Sequence, residues 1–186
     1  MPEKEEQTEK KKYSSLYDFA DILVSAITVI TLLFLFCFRF AGVIGSSMFP
    51  TLRDRDSLLI SATAGTAKPG DIVIITQPNI WHEPLVKRVI AIGGQTIDIR
   101  DGNVFIDGQE LTEAYLPEGL NTEPAPAYSA SVDMPYTVPA GYVFCMGDNR
   151  NNSTDSRFEE VGPIREDYLL GRVVLRLFPF GNFRVV

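Results

Sequence analysis

Lys87 has the most unusual setting of any polar residue in the chain. Four of the six lysines lie within residues 1–12, so the remainder of the chain has only Lys68 and Lys87. Lys87 lies in the apolar run 85–92, whose side chains alternate between two faces of a predicted strand. Burial among apolar neighbours disfavours the charged amine, so the pKa falls toward the range in which a neutral lysine acts as a base. An exposed cation that protects an edge strand is the alternative.

A serine suited to act as a nucleophile occurs earlier, in the segment Gly45-Ser46-Ser47-Met48-Phe49-Pro50-Thr51-Leu52. A kinked backbone before a proline can hold a serine hydroxyl in place, and neighbouring N–H groups can then bind an oxyanion. Taken alone, the segment fits an ordinary serine-containing loop better.

A third segment combines many polar side chains with a preceding apolar strand. Residues 147–157 read Gly-Asp-Asn-Arg-Asn-Asn-Ser-Thr-Asp-Ser-Arg and follow the predicted strand Tyr142–Met146. This density of Asp, Asn and Arg predicts a loop braced by hydrogen bonds and an Asp–Arg pair. A solvated turn is the alternative, while a calcium loop of the EF-hand type is disfavoured because its spacing and terminal Glu are missing.

An apolar segment precedes all three candidates. Ile22–Phe38 contains no charged residue and is bounded by Asp21 and Arg39. With its apolar flank to residue 44, it is long enough to cross a bilayer as a helix. A cleaved signal peptide usually has a shorter apolar region and a small-x-small site, and the residues after this segment are a poor cleavage signal. The sequence therefore favours a single transmembrane anchor over residues 21–44, with a buried core helix as a further alternative.

The lysines predict how this anchor is oriented. Four lysines precede it and only Arg39 follows closely, and positive charge stays on the cytoplasmic side. We therefore predict a single-pass cell-membrane protein, in which residues 1–20 form a polar cytoplasmic tail and residues 45–186 an extracytoplasmic domain. Residues 1–15 lack an apolar period and are predicted to be a solvated, mobile tail.

Beyond the anchor the pattern changes to short β-branched runs separated by Gly, Pro, Asp and Asn. Asp101-Gly102 predicts a tight hairpin turn, and residues 112–135, with four prolines, form a long excursion. We predict a mainly β protein, with a curved antiparallel β-sheet domain preceded by one transmembrane helix. The predicted strands are Ser57–Ser61, Asp71–Thr76, Leu85–Ile92, Thr96–Arg100, Asn103–Ile106, Tyr136–Val138, Tyr142–Met146 and Arg172–Phe178.

Composition excludes several kinds of function. The chain has 17 basic and 24 acidic residues, a net charge of −7, and no basic patch of the kind that nucleic-acid binding needs. Two cysteines are too few for a disulfide scaffold, and a bridge from Cys37, inside the predicted anchor, to Cys145 is not expected. The single histidine, His82, cannot provide a two-histidine metal site and is expected at the surface. We expect no metal, no cofactor and no nucleic-acid partner.

Four motifs, in this order, resemble those of the type I signal peptidases, the membrane-anchored Ser/Lys endopeptidases of bacteria. The family's Ser-Met-x-Pro-Thr-Leu box is matched by residues 47–52, and its Gly-Asp-Ile/Val-Val box by residues 70–73. The strand that carries the general base is matched by residues 86–89, and the last box by residues 147–157 without a gap. Together with the anchor, the resemblance covers nearly all of the chain except the tail and residues 107–140.

The resemblance implies an enzyme that removes signal peptides from secreted preproteins at the outer face of the cytoplasmic membrane, through an acyl-enzyme. It assigns Ser47 as the nucleophile, whose backbone N–H donates to the oxyanion, and Lys87 as the general base. It also implies that Ser153 hydrogen-bonds the Lys87 amine, and that Asp155 and Arg157 form a structural pair.

The chain departs from the family pattern at one site position. Some members have a serine two residues before the nucleophile, where this chain has Gly45, which leaves Ser46 as a candidate second oxyanion donor. The resemblance further implies two kinds of partner: preproteins with small residues, chiefly alanine, one and three positions before the cleaved bond, and the lipid bilayer.

Other functions fit parts of the sequence. Self-cleaving repressors share a similar Ser/Lys pair, but they are soluble and carry a DNA-binding helical domain. An inactive, membrane-tethered β domain that binds secreted peptides is a rival from another class, although the presence of both Ser47 and Lys87 argues against it. A penicillin-binding enzyme is disfavoured because the chain has no Ser-x-x-Lys.

Overall fold

The chain divides into two compact units, residues 1–38 and 39–186, which are described separately below. A computed structural model describes residues 17–62, 66–78, 83–124 and 131–178, and the backbone alone of residues 2–16 and 184–185. The expectation for His82 lies outside these described residues.

The first unit is one long helix, α1 (Pro2–Cys37). Its segment Tyr17–Cys37 is long and apolar enough to cross a membrane, with a mean hydropathy of 2.4. None of this apolar stretch is buried. Side chains such as Leu35 are 70% exposed, so the apolar span does not form part of a folded core. Thr28 donates its hydroxyl proton to the Val24 carbonyl oxygen at 2.8 Å, which satisfies a polar group within the helix itself.

Two boundaries of this unit differ from the predictions. The helix begins at Pro2, so the backbone of residues 2–16, within the segment predicted as a solvated, mobile tail, is helical; Lys and Glu are good helix formers and here they continue an existing helix. The helix ends at Cys37, so residues 38–44 do not extend it as predicted. Its apolar flank instead forms a short strand, Phe38–Gly42, because β-propensity and apolar character coincide there.

The second unit is mainly β, as predicted, and is built from curved antiparallel pairings in two sheets. The strands are β1 (Phe38–Gly42), β2 (Ser57–Ser61), β3 (Ile72–Ile75), β4 (Leu85–Ile92), β5 (Thr96–Arg100), β6 (Asn103–Ile106), β7 (Gln109–Glu110), β8 (Tyr136–Thr137), β9 (Tyr142–Met146), β10 (Ile164–Arg165), β11 (Leu169–Phe178) and β12 (Arg184–Val185). The larger sheet has the order β1-β2-β11-β3-β4-β9-β10, with β12 paired to β11, and the smaller has the order β7-β6-β5-β8.

Five of the predicted strands, β2, β4, β5, β6 and β9, have the predicted bounds. The observed β3 and β8 are shorter than predicted, while β11 begins three residues earlier, at Leu169. The strands that sequence patterns did not predict are β1 and the two-residue strands β7, β10 and β12. Two residues are too few to carry a period, so only pairing with a neighbour defines such strands.

The hairpin between β5 and β6 confirms the predicted Asp-Gly turn. Arg100 and Asn103 are opposite each other, and both turn residues have positive φ, 50° at Asp101 and 81° at Gly102. This combination is that of a type I′ turn, whose twist matches that of the strands.

The core lies on both faces of the larger sheet. All four residues of β3 are buried, as are the five central residues of β4. One apolar cluster contains Leu58, Ile60, Ile72 and Ile74, and another contains Val73, Ile75, Val89 and Cys145. Because both faces are covered, a polar residue in the middle of β4 is surrounded by protein.

Candidate active site

Ser47 and Lys87 line the same cavity, although they are 40 positions apart in the chain. The cavity has a volume of about 300 Å³ and opens to solvent. Its wall consists of three parts, the serine turn, the start of β4 and the loop after β9. The lining residues are Ile44, Gly45, Ser46, Ser47, Glu83, Leu85, Lys87, Asn152, Ser153 and Thr154.

Lys87 lies in an interior strand, because β4 pairs with β3 on one side and with β9 on the other. The residue is only 3% exposed, so the alternative of an exposed edge-strand cation is wrong. Burial lowers the pKa of Lys87 from 10.5 to about 8, against the nearby Asp155 carboxylate, which raises it, while Arg157 lowers it further. Its amine makes no hydrogen bond or ion pair with any other described residue. The amine therefore loses its proton at a much lower pH than an ordinary lysine does.

A tight turn holds Ser47 at the cavity wall. Phe49 N–H donates to the Ser46 carbonyl at 3.0 Å, and Leu52 N–H donates to the Met48 carbonyl at 2.9 Å. Met48 and Leu52 are 1% and 0% exposed, so burial of these two side chains anchors the turn in the core. Ser47 itself is half-buried. In the described part of the chain, neither its hydroxyl nor its N–H has a hydrogen-bond partner.

Two asparagines clamp this turn to the loop after β9. Asn149 N–H donates to the Ser47 carbonyl at 2.9 Å, and its side-chain amide donates to the Ser46 carbonyl at 3.1 Å. Asn152 donates to the Ser46 hydroxyl oxygen at 3.2 Å. The sequence placed both asparagines in a polar loop but assigned them no role, because their partners lie about 100 positions earlier.

Gly147 allows these parts to approach closely. A Cβ at this position would lie 2.2 Å from Ser153 Oγ and 2.4 Å from the Ser47 carbonyl oxygen, closer than real Cβ atoms come. Gly147 N–H also donates to Asp155 Oδ2 at 2.9 Å. The Ser47 turn and the loop therefore pack against each other only because this residue has no side chain.

The predicted pair of Asp155 and Arg157 is confirmed. Arg157 Nε lies 2.8 Å from Asp155 Oδ1, and Nη2 lies 2.8 Å from Oδ2. Both side chains are buried, and the other Arg157 donors reach the carbonyls of Glu123 at 2.7 Å and Arg150 at 2.6 Å. These bonds satisfy the buried guanidinium, which would otherwise be costly to bury.

Ser153 differs from its predicted role. It lines the cavity, but its hydroxyl donates to Asp155 Oδ2 at 2.8 Å and does not bond the Lys87 amine. A carboxylate is the stronger acceptor, and it lies only two residues along the same loop. Ser153 therefore bridges the Asp155–Arg157 pair to the cavity wall.

The two candidates for a second oxyanion donor are differently placed. Gly45 has φ of 87° and its N–H donates to Asp54 Oδ1 at 2.9 Å, so this N–H is already engaged. The Ser46 hydroxyl oxygen accepts from Asn152, which leaves its proton available to a further acceptor. Both residues line the cavity.

A second buried ion pair, which the sequence did not predict, connects β4 with the loop. Arg88 Nε lies 2.9 Å from Asp148 Oδ1, and Nη2 lies 2.7 Å from Oδ2. Its remaining donor reaches the Gly70 carbonyl at 2.8 Å. The pair places the residue after Lys87 directly against the residue after Gly147. Arg88 and Asp148 both lie in the quoted motifs, so the motifs were the available signal.

The described residues contain no group of three or more His, Cys, Asp or Glu side chains that could hold a metal ion. Cys37 and Cys145 are free thiols. Burial raises the pKa of Cys145, so this thiol, which is opposite Val89 in the sheet, stays protonated and packs as an apolar residue.

Comparison with known proteins identifies a family and several relatives that this chain resembles. The family model described as signal peptidase, peptidase S26, matches residues 16–178. Signal peptidase I T of Bacillus subtilis strain 168 is 37% identical over 184 residues, which covers 96% of this chain and 94% of that protein. Signal peptidase I of Bacillus licheniformis is 35% identical over 186 residues, with 97% of each chain covered. A crystal structure of a signal peptidase I from Enterococcus faecalis V583 matches 59% of this chain and 97% of its own, with 26% identity and a TM-score of 0.47.

Proposed function

The chain belongs to the signal peptidase family, peptidase S26, and is a protease of the signal peptidase I type; on this premise we propose that Ser47 is its nucleophile and Lys87 its general base. One observation carries the proposal. A lysine whose burial favours the neutral amine lines the same open cavity as a serine whose hydroxyl has no other partner among the described residues.

The reaction follows from these two groups. Neutral Lys87 takes the proton of the Ser47 hydroxyl while Oγ attacks the scissile carbonyl carbon, which forms a tetrahedral intermediate. The Ser47 N–H, and the Ser46 hydroxyl as a second donor, stabilise its oxyanion. The lysine ammonium then protonates the leaving amine, and the C–N bond breaks to give an acyl-enzyme. In the second half, neutral Lys87 takes a proton from the water that attacks the ester. The resulting ammonium returns this proton to Ser47 Oγ as the acyl C–O bond breaks and the cleaved signal peptide leaves.

The substrates in this proposal are secretory preproteins with small side chains, chiefly alanine, at −1 and −3. An extended peptide beside a strand turns alternate side chains toward the protein. Shallow pockets at two such positions would exclude bulky residues. The relatives' activity as signal peptidases supports the substrate class.

The proposal also places the enzyme at a membrane. The apolar part of α1 has the length of a bilayer-spanning helix, and the lysines precede it. We infer a cytoplasmic N-terminus and an extracytoplasmic β unit, which would bring the site to a preprotein that arrives in the same bilayer.

The deciding experiment measures preprotein cleavage in detergent by Ser47→Ala, Lys87→Ala and Lys87→Arg. We expect each variant to be inactive while it keeps the β fold. Lys87→Arg is included because a guanidinium stays protonated and cannot act as a base. Lys68→Ala, which removes the exposed second lysine of this unit, is the matched control and should cleave normally.

The same assay tests the substrate. A preprotein with a bulky residue in place of the −1 alanine should resist the wild-type enzyme. Substantial cleavage by any of the three dyad variants would refute the dyad, and an inactive wild type would favour the peptide-binding alternative.

A further inference from the structure

The long excursion after β7 contacts both elements that carry the site, although its residues 113 and 115 do not line the cavity. The Glu113 carboxylate accepts hydrogen bonds from both terminal nitrogens of Arg150. The bond from Nη1 is 2.7 Å long and the contact with Nη2 is shorter. Tyr115 donates its hydroxyl proton to the same carboxylate at 2.5 Å. Burial and the Glu113 charge raise the pKa of Tyr115, which keeps the phenol protonated as this bond requires.

The Tyr115 ring also contacts the strand of the base. The Arg88 guanidinium carbon lies 3.9 Å from the ring centroid, so the guanidinium is stacked on the aromatic face. Arg88 is the residue after Lys87, and its other contacts are the bidentate pair with Asp148 and the Gly70 carbonyl. The ring therefore covers one face of a guanidinium whose edges tie β4 to the loop.

Arg150 lies in the loop after β9 and forms the contact between this loop and the excursion. It is 1% exposed and donates through Nε to the Gly147 carbonyl at 3.2 Å, while its own carbonyl accepts from Arg157 at 2.6 Å. A further excursion residue, Thr122, accepts a hydrogen bond from Arg150 at 2.9 Å. Removing the carboxylate that pairs with this cation would leave a buried charge without its ion-pair partner, which is strongly destabilising for its surroundings.

We propose that Glu113 and Tyr115 are positioning residues for catalysis, which hold β4 and the loop after β9 in the register that aligns Lys87 with Ser47. The inference rests on the proposed dyad. Glu113 acts through Arg150 on Gly147, against which the Ser47 turn is packed. Tyr115 acts through Arg88 on the strand of Lys87. A misplacement of about 1 Å at reacting groups costs on the order of 100-fold in rate, so loosening this contact should lower kcat more than it changes binding.

The test compares Glu113→Gln, Tyr115→Phe and Tyr115→Leu in the full-length enzyme in detergent. Glu113→Gln keeps the side-chain shape but removes the charge opposite Arg150. We expect kcat to fall about 10-fold or more, with KM changed less than about twofold. Tyr115→Leu removes the stacked ring and should behave similarly. Tyr115→Phe keeps the ring on Arg88 and should restore kcat to within about threefold of wild type.

Two matched controls separate this effect from general perturbation. Glu118→Gln neutralises an exposed carboxylate of the same excursion. Phe105→Leu removes the ring beneath Arg100, a comparable stack with the centroid at 4.2 Å on the β5–β6 hairpin. Both variants should keep wild-type kcat and KM.

Wild-type kcat in Glu113→Gln, measured well below its unfolding temperature, would overturn the proposal. A Tyr115→Phe variant as slow as Tyr115→Leu would overturn the part assigned to the stacked ring. If Tyr115→Leu does not fold, Glu113→Gln and Tyr115→Phe decide the matter. Activity in Ser47→Ala would instead refute the dyad, which is a different outcome from normal kcat in the positioning variants.

Discussion

In the proposed mechanism, Lys87 decides the chemistry, because its environment sets its protonation state. Apolar neighbours on both faces of β4 make the ammonium costly, and Asp155 raises the pKa only in part because its carboxylate is shared with Arg157 and Ser153. The balance of these effects leaves the amine neutral at mildly alkaline pH. A base with this pKa removes the need for a histidine in the proposed mechanism.

The pH dependence of kcat/KM should report this base. Only neutral Lys87 is productive, so activity should be lost as pH falls through its pKa, with the acidic limb at about 8 in the free enzyme. The measurement is a kcat/KM profile from about pH 5 to 11. A limb at the ordinary lysine value of 10.5 would contradict the burial argument.

Asp155→Asn tests the largest charge effect on this base. From the sequence we expected little movement of the limb, since Asp155 pairs with Arg157. The structure changes that expectation, because Asp155 raises the pKa of Lys87 and its removal leaves Arg157, which lowers it. In this variant the limb should move to lower pH, together with a loss of activity from the disturbed loop.

Lys87→Met should make the protein more stable as it makes the enzyme inactive. The lowering of the pKa from 10.5 to about 8 means that the native state holds a buried ammonium at a cost of roughly 3 kcal/mol below pH 8. The unfolded state binds more protons between these values, so the cost declines as pH rises from 8 to 10.5. Chemical denaturation at pH 6 should therefore show a gain that is absent at pH 11. Lys68→Met, at an exposed position, should change stability little at either pH, and a destabilised Lys87→Met at pH 6 would argue against the burial cost.

At the scale of elements, the site is a junction of the Ser47 turn, β4 and the loop after β9. Asn149 and Gly147 join the turn to the loop, and the Arg88–Asp148 pair joins the strand to the loop. Local propensity builds the three elements, but their mutual fit depends on a few close approaches.

Gly147→Ala tests the closest of these approaches. The new Cβ would lie 2.4 Å from the backbone oxygen of Ser47, which cannot move without moving the turn. We expect at least a 100-fold loss of kcat, since misplacement of about 1 Å has that order of effect, and a lower unfolding temperature. Gly42→Ala is the matched control, because nothing lies within 4 Å of its Cβ. Near-normal activity in Gly147→Ala would mean that the junction is more adaptable than its packing indicates.

At the scale of the whole molecule, a helix unit and a β unit are joined at residue 38. A helix whose apolar side chains are about half exposed or more needs an apolar surrounding, which a bilayer supplies. The β unit has its own core on both faces of the larger sheet. This division supports the proposal of an enzyme that works beside a membrane on substrates held in it.

Protease accessibility tests the proposed topology. In wall-less cells, external protease should digest the β unit but leave an epitope tag at the N-terminus intact until the membrane is permeabilised. The expected orientation follows from the lysines before the span. Replacing all four tail lysines with glutamine should weaken it. Digestion of the tag in intact cells would reverse the assignment.

Much of this protein was predictable from its sequence because the signals are local. The uncharged span, the Asp101-Gly102 turn and the alternation of β2, β4, β5, β6 and β9 depend on neighbouring residues, so pattern alone identified them. The motifs marked Ser47 and Lys87, and the Asp155–Arg157 pair spans only two positions. These features require no knowledge of how distant segments pack.

Only the tertiary structure decided the environment of those residues. Lys87 could have been an edge-strand cation until pairing on both sides of β4 buried it. Ser153 bonds Asp155 because the loop folds back on itself, and Gly147 matters because Ser47, 100 positions earlier, packs on it. The short strands and the contacts of Glu113 and Tyr115 likewise arise between distant segments. Burial and close approach are properties of the assembled chain, and therefore the electrostatics of the site could not be read from residue order.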